Sequence, residues 1–248
     1  MESDVEVLEL NSDVFSDAVK LVGFAAASDE SRPIFSGVYL SFIDGVLSIV
    51  ASDGFRLSEK ILELETPFSK TFSVVVPAKT LLEVSRLVDP EEPTKVALDD
   101  RSNLVLFSNK DTVIATRILD GTFPDYKRII PDSHALEAEI AYEDLLEAIR
   151  LADLFAQQVD SSVTIHFDPE GVISVSSFSP ESGRHTSSFD AAVDGDEMEI
   201  VLNSKYILEL LSNVDTDKIA FRTQNNLAPC VFKPFGKEDF LHIIMPRQ

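Results

Sequence analysis

The apolar and polar residues of this chain alternate in two ways, one typical of strands and one typical of helices. Residues 5–10 alternate as a strand does, and Asn11 or Ser12 is placed to cap a helix that follows at once. The Asp44-Gly45 pair between two apolar runs predicts a hairpin, and Pro77 predicts the start of a second helix. The other strands predicted in this half are 37–42, 46–51, 57–64, 72–76, 95–98, 103–107 and 112–119.

The second half of the chain repeats this order. Segments 72–83 and 197–209 both have the pattern of a strand, a short cap with a lysine and an amphipathic helix. Repeats of this length indicate duplicated domains rather than a solenoid, and a boundary near Pro131 gives domains 1–131 and 132–248. The second domain is predicted to hold helices 141–156 and 203–214 and strands 135–140, 163–167, 172–176, 197–202, 218–222, 230–233 and 241–245.

The predicted fold class is α+β, with two tandem domains of antiparallel strands and two helices in each. The strands are predicted to run in hairpins rather than to alternate with crossover helices, which excludes a parallel α/β sheet. With 248 residues, of which 44% are hydrophobic, each domain is large enough to bury its own core.

The net charge of −22 restricts the possible partners. A protein that grips phosphates tightly normally carries a basic surface, so this charge argues against tight binding of nucleic acid. Any contact with DNA must therefore be loose and confined to a small basic region.

The single cysteine, Cys230, cannot form an internal disulfide or a thiolate metal site, and its apolar neighbours predict a buried, inert thiol. The start of the sequence, residues 1–4, contains two acidic residues and does not resemble the basic start of a signal peptide. No apolar run is long enough for a membrane helix. We therefore expect a cytoplasmic protein without a membrane partner.

Signatures of enzymes are mostly missing from the sequence. It has no glycine-rich phosphate loop, no nucleophile elbow and no paired metal-binding motif. His166 and Asp168 share one face of a predicted strand, so an alternative hypothesis is a metal-assisted hydrolase that uses them with His185. Solvent-facing polar residues explain the same pattern, and a scaffold or adhesion module without a link to DNA is a third interpretation.

Two segments stand out for their unusual composition. Residues 51–58 form a turn that holds both Phe55 and Arg56, and residues 119–131 lack periodicity although they include several apolar side chains. A loop this apolar either packs on its own domain as a linker or receives a partner.

These segments resemble the sliding-clamp, or beta, subunits of bacterial DNA polymerase III. The segment Ser31-Arg32-Pro33-Ile34-Phe35-Ser36-Gly37-Val38, the turn Asp53-Gly54-Phe55-Arg56-Leu57 and the linker 120–131 resemble that family's middle domain. The end, Phe240-Leu241-His242-Ile243-Ile244-Met245-Pro246, resembles the family's last strand and tail. The resemblance covers the chain as the second and third of three family domains. Phe55 stands where the family often has histidine.

The resemblance implies a non-catalytic processivity factor without a cofactor or bound metal. Such clamps form a ring around duplex DNA without reading its sequence, with helices lining the hole and sheets outside. The implied partners are the polymerase III catalytic subunit, the clamp loader and other proteins with a clamp-binding motif, all at the nucleoid. The chain is either a two-domain subunit that closes as a trimer or part of a three-domain chain. The cations implied to face DNA are Lys20, Lys79, Arg86, Arg150 and Lys205.

The resemblance also implies an apolar pocket for partner peptides between the two domains and a ring interface at the end of a helix. The helical pattern allows Leu154 or Phe155 of that interface to be core instead, and for Leu154 it favours core. The pocket residues are Phe35, Ser52, Gly54, Phe55, Arg56, Leu57, Pro124, Arg128, Ile129, Pro229, Ile243, Ile244, Met245 and Pro246.

Overall fold

The computed structural model describes residues 7–29, 32–64, 68, 70–99 and 102–247. The chain divides into two compact units, of which the first ends at Pro124 and the second begins at Asp125. Residues 125–131, which the sequence analysis assigned to the first domain, thus belong to the second unit. Residues 5 and 6 of the first predicted strand lie outside the described ranges.

The described residues of the first unit form two α-helices, a 3-10 helix (Pro33–Ser36) and two antiparallel sheets. The helices are α1 (Ser12–Gly23) and α2 (Ala78–Leu87). The strand order is β1-β6-β7-β8 in one sheet and β4-β3-β2-β5 in the other. The strands are β1 (Val7–Leu10), β2 (Gly37–Ile43), β3 (Val46–Ser52), β4 (Arg56–Glu63), β5 (Phe72–Pro77), β6 (Thr94–Asp99), β7 (Leu104–Asn109) and β8 (Thr112–Arg117).

Local signals set these elements as the sequence predicts. The Asn11 side chain accepts a hydrogen bond from the Val14 N–H at 3.1 Å, which caps the first turn of α1. Asp44 and Gly45 have φ of 51° and 81°, and a turn with positive φ at both central residues matches the twist of the hairpin between β2 and β3. The predicted cap and the predicted hairpin are both confirmed.

The described residues of the second unit likewise form two α-helices and two antiparallel groups of strands. Its helices are α3 (Tyr142–Ala156) and α4 (Ser204–Asn213). The strand order is β12-β11-β10-β14 in one group and β13-β9-β15-β16-β17 in the other. The strands are β9 (Leu136–Ala141), β10 (Ser162–Asp168), β11 (Val172–Ser179), β12 (Gly183–Asp190), β13 (Ala192–Gly195), β14 (Met198–Asn203), β15 (Lys218–Thr223), β16 (Cys230–Pro234) and β17 (Phe240–Ile244).

Each unit buries its own aromatic core. In the first, the rings of Phe15 on α1 and Phe107 on β7 stack with centroids 6.1 Å apart. In the second, Phe221 stacks on Phe167 at 4.7 Å and meets Phe232 edge-on at 5.0 Å. Offset and edge-on pairs of this kind add to the stabilisation that comes from burying the rings. The predicted α+β class, with two helices in each of two tandem domains, is confirmed.

Candidate functional site

The turn between β3 and β4 is held rigid by its own polar groups. Asp53 Oδ1 accepts hydrogen bonds from the N–H groups of Phe55 at 2.8 Å and Arg56 at 3.0 Å. The Ser52 hydroxyl donates to the Arg56 carbonyl at 2.6 Å and accepts from the Gly54 N–H at 3.0 Å. These bonds fix the backbone of the turn, and Phe55 projects from it with 59% of its surface exposed.

Arg56 lies on the inner side of this turn, where it is only 8% exposed. Its Nε donates to Asp53 Oδ2 at 3.1 Å and its Nη2 to the Phe24 carbonyl at 3.0 Å. The guanidinium also lies 5.6 Å from the centre of the Phe24 ring. Arg56 therefore holds the turn to the first unit from within, and Phe55 is the side chain that the turn presents outward.

Arg32 supports the same turn, although the sequence analysis did not include it among the site residues. Its Nη2 donates to the Asp53 carbonyl at 2.7 Å, and its guanidinium lies 5.0 Å from the centre of the Phe35 ring. Gly54 has φ of 90°, and a Cβ there would lie 2.7 Å from Arg32 Nη1. The backbone conformation of the turn therefore favours glycine at this position, and a larger residue would also displace the end of the Arg32 side chain.

Phe35 belongs to a cluster of three rings in the first unit. It meets Phe123 edge-on at 6.1 Å, and Phe123 stacks on Tyr39 at 5.1 Å. Pro124 follows this cluster and is exposed, whereas Leu57 is only 2% exposed and lies on the face of β4 opposite to that of the core residue Leu62. The structure thus groups Phe35, Ser52, Gly54, Phe55 and Arg56 around Arg32 and Asp53.

The other predicted pocket residues lie in the second unit. Arg128 and Ile129 stand on a 3-10 helix, Tyr126–Ile129, where both are exposed, and Arg128 Nε donates to Asp125 Oδ2 at 2.8 Å. The rest lie on β17, on the tail that follows it and beside β16. Pro229, Met245 and Pro246 are half-buried there.

Ile243 and Ile244 are consecutive on β17, so their side chains point to opposite faces of the sheet. Ile243 pairs with Val231, and Ile244 pairs with the buried Cys230 on the core side. Only one of the two isoleucines can therefore line a given surface.

A cleft of about 210 Å³ opens on the same sheet face as Ile243. Three of its lining residues pair with carboxylates: Arg222 Nε donates to Glu137 at 2.9 Å, His134 Nε2 lies 3.2 Å from the same carboxylate, and Lys233 Nζ donates to Glu238 at 2.7 Å. The hydrogen bond from Lys233 is the main cause of the lowered pKa of the Glu238 carboxyl. The lining residues are Ile130, Pro131, Asp132, Ser133, His134, Arg222, Thr223, Val231, Lys233 and Leu241.

The five cations expected to face DNA are all exposed on the four helices. Two of them are partly neutralised, because Lys20 pairs with Asp17 at 3.3 Å and Arg86 with Glu83 at 2.7 Å. The four helices carry eight carboxylates against these five cations, a net charge of −3. The helices therefore do not form a basic surface, which sequence reasoning about single cations did not reveal.

Leu154 is 56% exposed, so the expectation that it belongs to the core was wrong. The buried stripe of α3 follows Leu145, Ile149, Ala152 and Ala156, and Leu154 lies outside it. Phe155 is half-buried and stacks on His185 of β12 with centroids 5.4 Å apart.

The alternative hydrolase site is not assembled, and that hypothesis was wrong. His166 pairs with Ser174 on the outer face of its sheet, whereas His185 pairs with Ser177 on the face that packs against α3. His166 instead contacts Glu197 at 2.8 Å, and Asp168 accepts from the Glu170 N–H at 2.8 Å in a turn. Across the described ranges, no three His, Cys, Asp or Glu residues are grouped to hold a metal ion. Nor is any helix there long and apolar enough to span a membrane.

Cys230 is fully buried, as its apolar neighbours predict. Burial raises the pKa of its thiol to about 12, because the charged thiolate loses its hydration.

We expect Cys230 to resist alkylation in the folded protein. At pH 8 a thiol with a pKa of about 12 is ionised in only about one molecule in ten thousand, and burial also blocks the reagent. Iodoacetamide should label it at least about a hundredfold more slowly than in guanidinium, measured by intact mass. Equal rates in both conditions would show that the thiol is accessible.

Comparison with known proteins places both units in one family. The model of the DNA polymerase III beta subunit central domain matches residues 9–125, and that of its C-terminal domain matches residues 127–248. The beta sliding clamp of Staphylococcus aureus is 29% identical over 243 residues, which cover 97% of this chain and 64% of that protein. The chain thus spans less than two thirds of the length of this curated relative.

Solved structures agree with these matches. The DNA polymerase sliding clamp of Bacillus subtilis superimposes with a TM-score of 0.93 at 26% identity, over 99% of this chain and 65% of that one. The DNA polymerase III beta subunit of Thermotoga maritima gives 0.92 at 27% identity, over 100% and 66% of the two chains. Since the two family models match far more than half of the sequence, the chain belongs to the DNA polymerase III beta subunit family, the beta sliding clamps.

Proposed function

We propose that the chain serves as a non-catalytic part of a DNA sliding clamp that holds a replicative polymerase on duplex DNA. The observation that carries this proposal is the match of its two units, in order, to the central and C-terminal domains of the beta subunit family. The proposed place of action is the cytoplasm, at the nucleoid. The proposed domains are those of the sequence analysis, 1–131 and 132–248, with the compact units dividing slightly earlier, after Pro124.

In this proposal DNA is held by closure of a ring and not by attraction. The net charge of −3 on the four helices supports it, because such helices cannot bind phosphates tightly. Lys20, Lys79, Arg86, Arg150 and Lys205 then make isolated, weak contacts with the backbone of the duplex. The exposed Leu154, with Phe155 beside it, is proposed to form part of the ring interface.

Partner proteins are proposed to bind through a short apolar peptide. Two features of separate units support such a site: the rigid turn that presents Phe55, and the half-buried tail residues Met245 and Pro246. Side chains of this kind offer apolar contact area at little cost in entropy, because the turn is already ordered. The polymerase III catalytic subunit and the clamp loader are the proposed carriers of the peptide.

We expect a peptide with an apolar clamp-binding motif to bind with micromolar affinity, which corresponds to about −8 kcal/mol. Met245→Ala should weaken binding roughly tenfold, because it removes an apolar side chain from the proposed contact. Isothermal titration calorimetry measures both.

Met198→Ala is the matched control, because Met198 is also half-buried in the second unit but lies on β14. It should bind the peptide as the unmodified chain does, and a scrambled peptide should not bind. Equal affinities of the Met245→Ala and Met198→Ala variants would remove the tail from the site. No binding of the motif peptide at all would favour a scaffold without clamp partners.

A further inference from the structure

Arg247 anchors the tail that follows β17. β17 ends at Ile244, and Met245, Pro246 and Arg247 continue without strand structure. The Arg247 N–H donates to the Val201 carbonyl at 2.9 Å, on β14, the outer strand of its group. Met245 and Pro246 therefore lie between two anchored points that are only three residues apart.

The side chain of Arg247 makes the second part of this anchor. Its Nη1 donates to the Asp160 carbonyl and, at 2.8 Å, to the Ser162 hydroxyl, and it lies 3.2 Å from Asp160 Oδ2. Arg247 thus bridges the tail to the turn between α3 and β10. We call Arg247 together with Asp160 and Ser162 the tail clasp.

The turn that receives Arg247 is itself ordered. Asp160 Oδ1 accepts from the Ser162 N–H at 3.0 Å, and Oδ2 accepts from the Ser162 hydroxyl at 2.8 Å. The Ser161 carbonyl accepts from the N–H of Ser204 at 2.8 Å and from its hydroxyl at 3.0 Å, at the start of α4. Arg247 therefore binds a surface that is held in place from two sides.

The surroundings of Asp160 favour the charged form of its carboxyl. The hydrogen bond from the Ser162 hydroxyl lowers the pKa of the Asp160 carboxyl the most, and burial opposes this only in part. The charge on Arg247 lowers it further. The contact between Arg247 and Asp160 is therefore a charge-assisted one.

We propose that Arg247 is a positioning residue, which through the tail clasp holds Met245 and Pro246 in the conformation that a partner peptide binds. The inference rests on the proposed function, since it concerns the same apolar tail. Without the clasp the tail beyond β17 would be held by the backbone hydrogen bond from Arg247 to Val201 but by no side-chain contact of Arg247, and a bound peptide would have to order it further. Preorganisation of this kind raises affinity by lowering the entropy lost on binding.

The test compares Arg247→Ala, Asp160→Asn and the double variant with the unmodified chain. Arg184→Ala is the control, because it removes the same charge from an exposed site on β12 of the same unit. Hydrogen exchange of the amides at positions 245 and 247 reports the order of the tail. Calorimetry with the motif peptide reports binding.

We expect Arg247→Ala to speed exchange at these amides and to weaken peptide binding about fivefold. Asp160→Asn should have a smaller effect of the same kind, because Arg247 keeps its bonds to the Asp160 carbonyl and the Ser162 hydroxyl. The double variant should bind the peptide no more weakly than Arg247→Ala does, because both changes act on the same interaction. Arg247→Lys should recover part of the affinity, and Arg184→Ala should leave both measurements unchanged.

Unchanged exchange in Arg247→Ala would overturn the clasp, and faster exchange with unchanged peptide affinity would overturn its role in binding. Additive losses in the double variant would also contradict it. If the unmodified chain does not bind the peptide, the proposed function fails and the positioning role fails with it. The exchange data then still decide whether the clasp orders the tail.

Discussion

Cutting a closed circular plasmid once is expected to release the chain after a matching clamp loader has placed it there. The net charge of −22 on the chain and −3 on the four helices repels phosphate, so only topological closure can retain it. Retention should fall at least about tenfold on linearisation at physiological salt. Gel filtration of the plasmid before and after restriction cleavage measures the protein that remains bound.

A nicked circle is the control for this experiment, because it is relaxed but still closed, and it should retain the protein. Leu154→Asp should abolish retention if Leu154 lies in the proposed ring interface, because a carboxylate placed in an apolar contact is strongly unfavourable. The Ile43→Asp variant also replaces an exposed apolar side chain by a carboxylate, at a position that is 53% exposed beside the β2–β3 turn. This variant should be retained on the plasmid as the unmodified protein is. Tight binding to a short linear duplex would contradict encirclement.

Variants of the five helix cations distinguish retention by closure of a ring from retention by attraction to phosphate. Removing any one of the five helix cations should change retention little, since each makes at most one weak phosphate contact. Reversing several together should impair loading and DNA-stimulated synthesis, because the helices then become still more acidic.

Arg56→Ala is expected to destabilise the first unit by about 3 kcal/mol or more. Arg56 and Asp53 are 8% and 14% exposed in their side chains, so the change leaves a carboxylate buried without its cation. The β3–β4 turn should loosen, and the motif peptide should bind more weakly because Phe55 loses its fixed position. Denaturant unfolding followed by circular dichroism measures the loss of stability.

Arg128→Ala provides a matched control within the chain. Arg128 and Asp125 have the same three-residue spacing in the sequence, and Arg128 Nε lies 2.8 Å from Asp125 Oδ2. Their side chains, however, are 85% and 59% exposed. Exposed pairs contribute little, so this variant should unfold within about 0.5 kcal/mol of the unmodified protein. Equal losses in the two variants would show that burial of the Arg56 pair does not matter.

The elements with local signals were predictable from the sequence, and those without were not. Asn11 as a cap and Asp44-Gly45 as a turn act through their own hydrogen bonds and backbone angles, so they were identified correctly. Strand β12, whose sequence is GRHTSSFD, was missed because its residues are mostly polar and half-exposed. It forms because β11 pairs with it along its whole length, and such pairing between strands is not a local property.

The candidate site divides in the same way. The unusual turn around Phe55 was visible as a sequence pattern, but its supports, Arg32 and Phe24, are distant in sequence and reach it only through the fold. The tail clasp joins Asp160 to Arg247 across 87 residues, and no spacing rule connects them. The acidic excess on the helices could have been found by counting the charges of each predicted helix as well as its cations.

The outward position of Phe55 also makes the molecule open to optical study. The chain contains 17 phenylalanines, 4 tyrosines and no tryptophan. A tryptophan introduced at position 55 would be the only indole, carried on a backbone that four hydrogen bonds keep in place. Its emission would shift to shorter wavelength when a ligand covers it, so occupancy of the turn could be followed in real time without a label on the ligand.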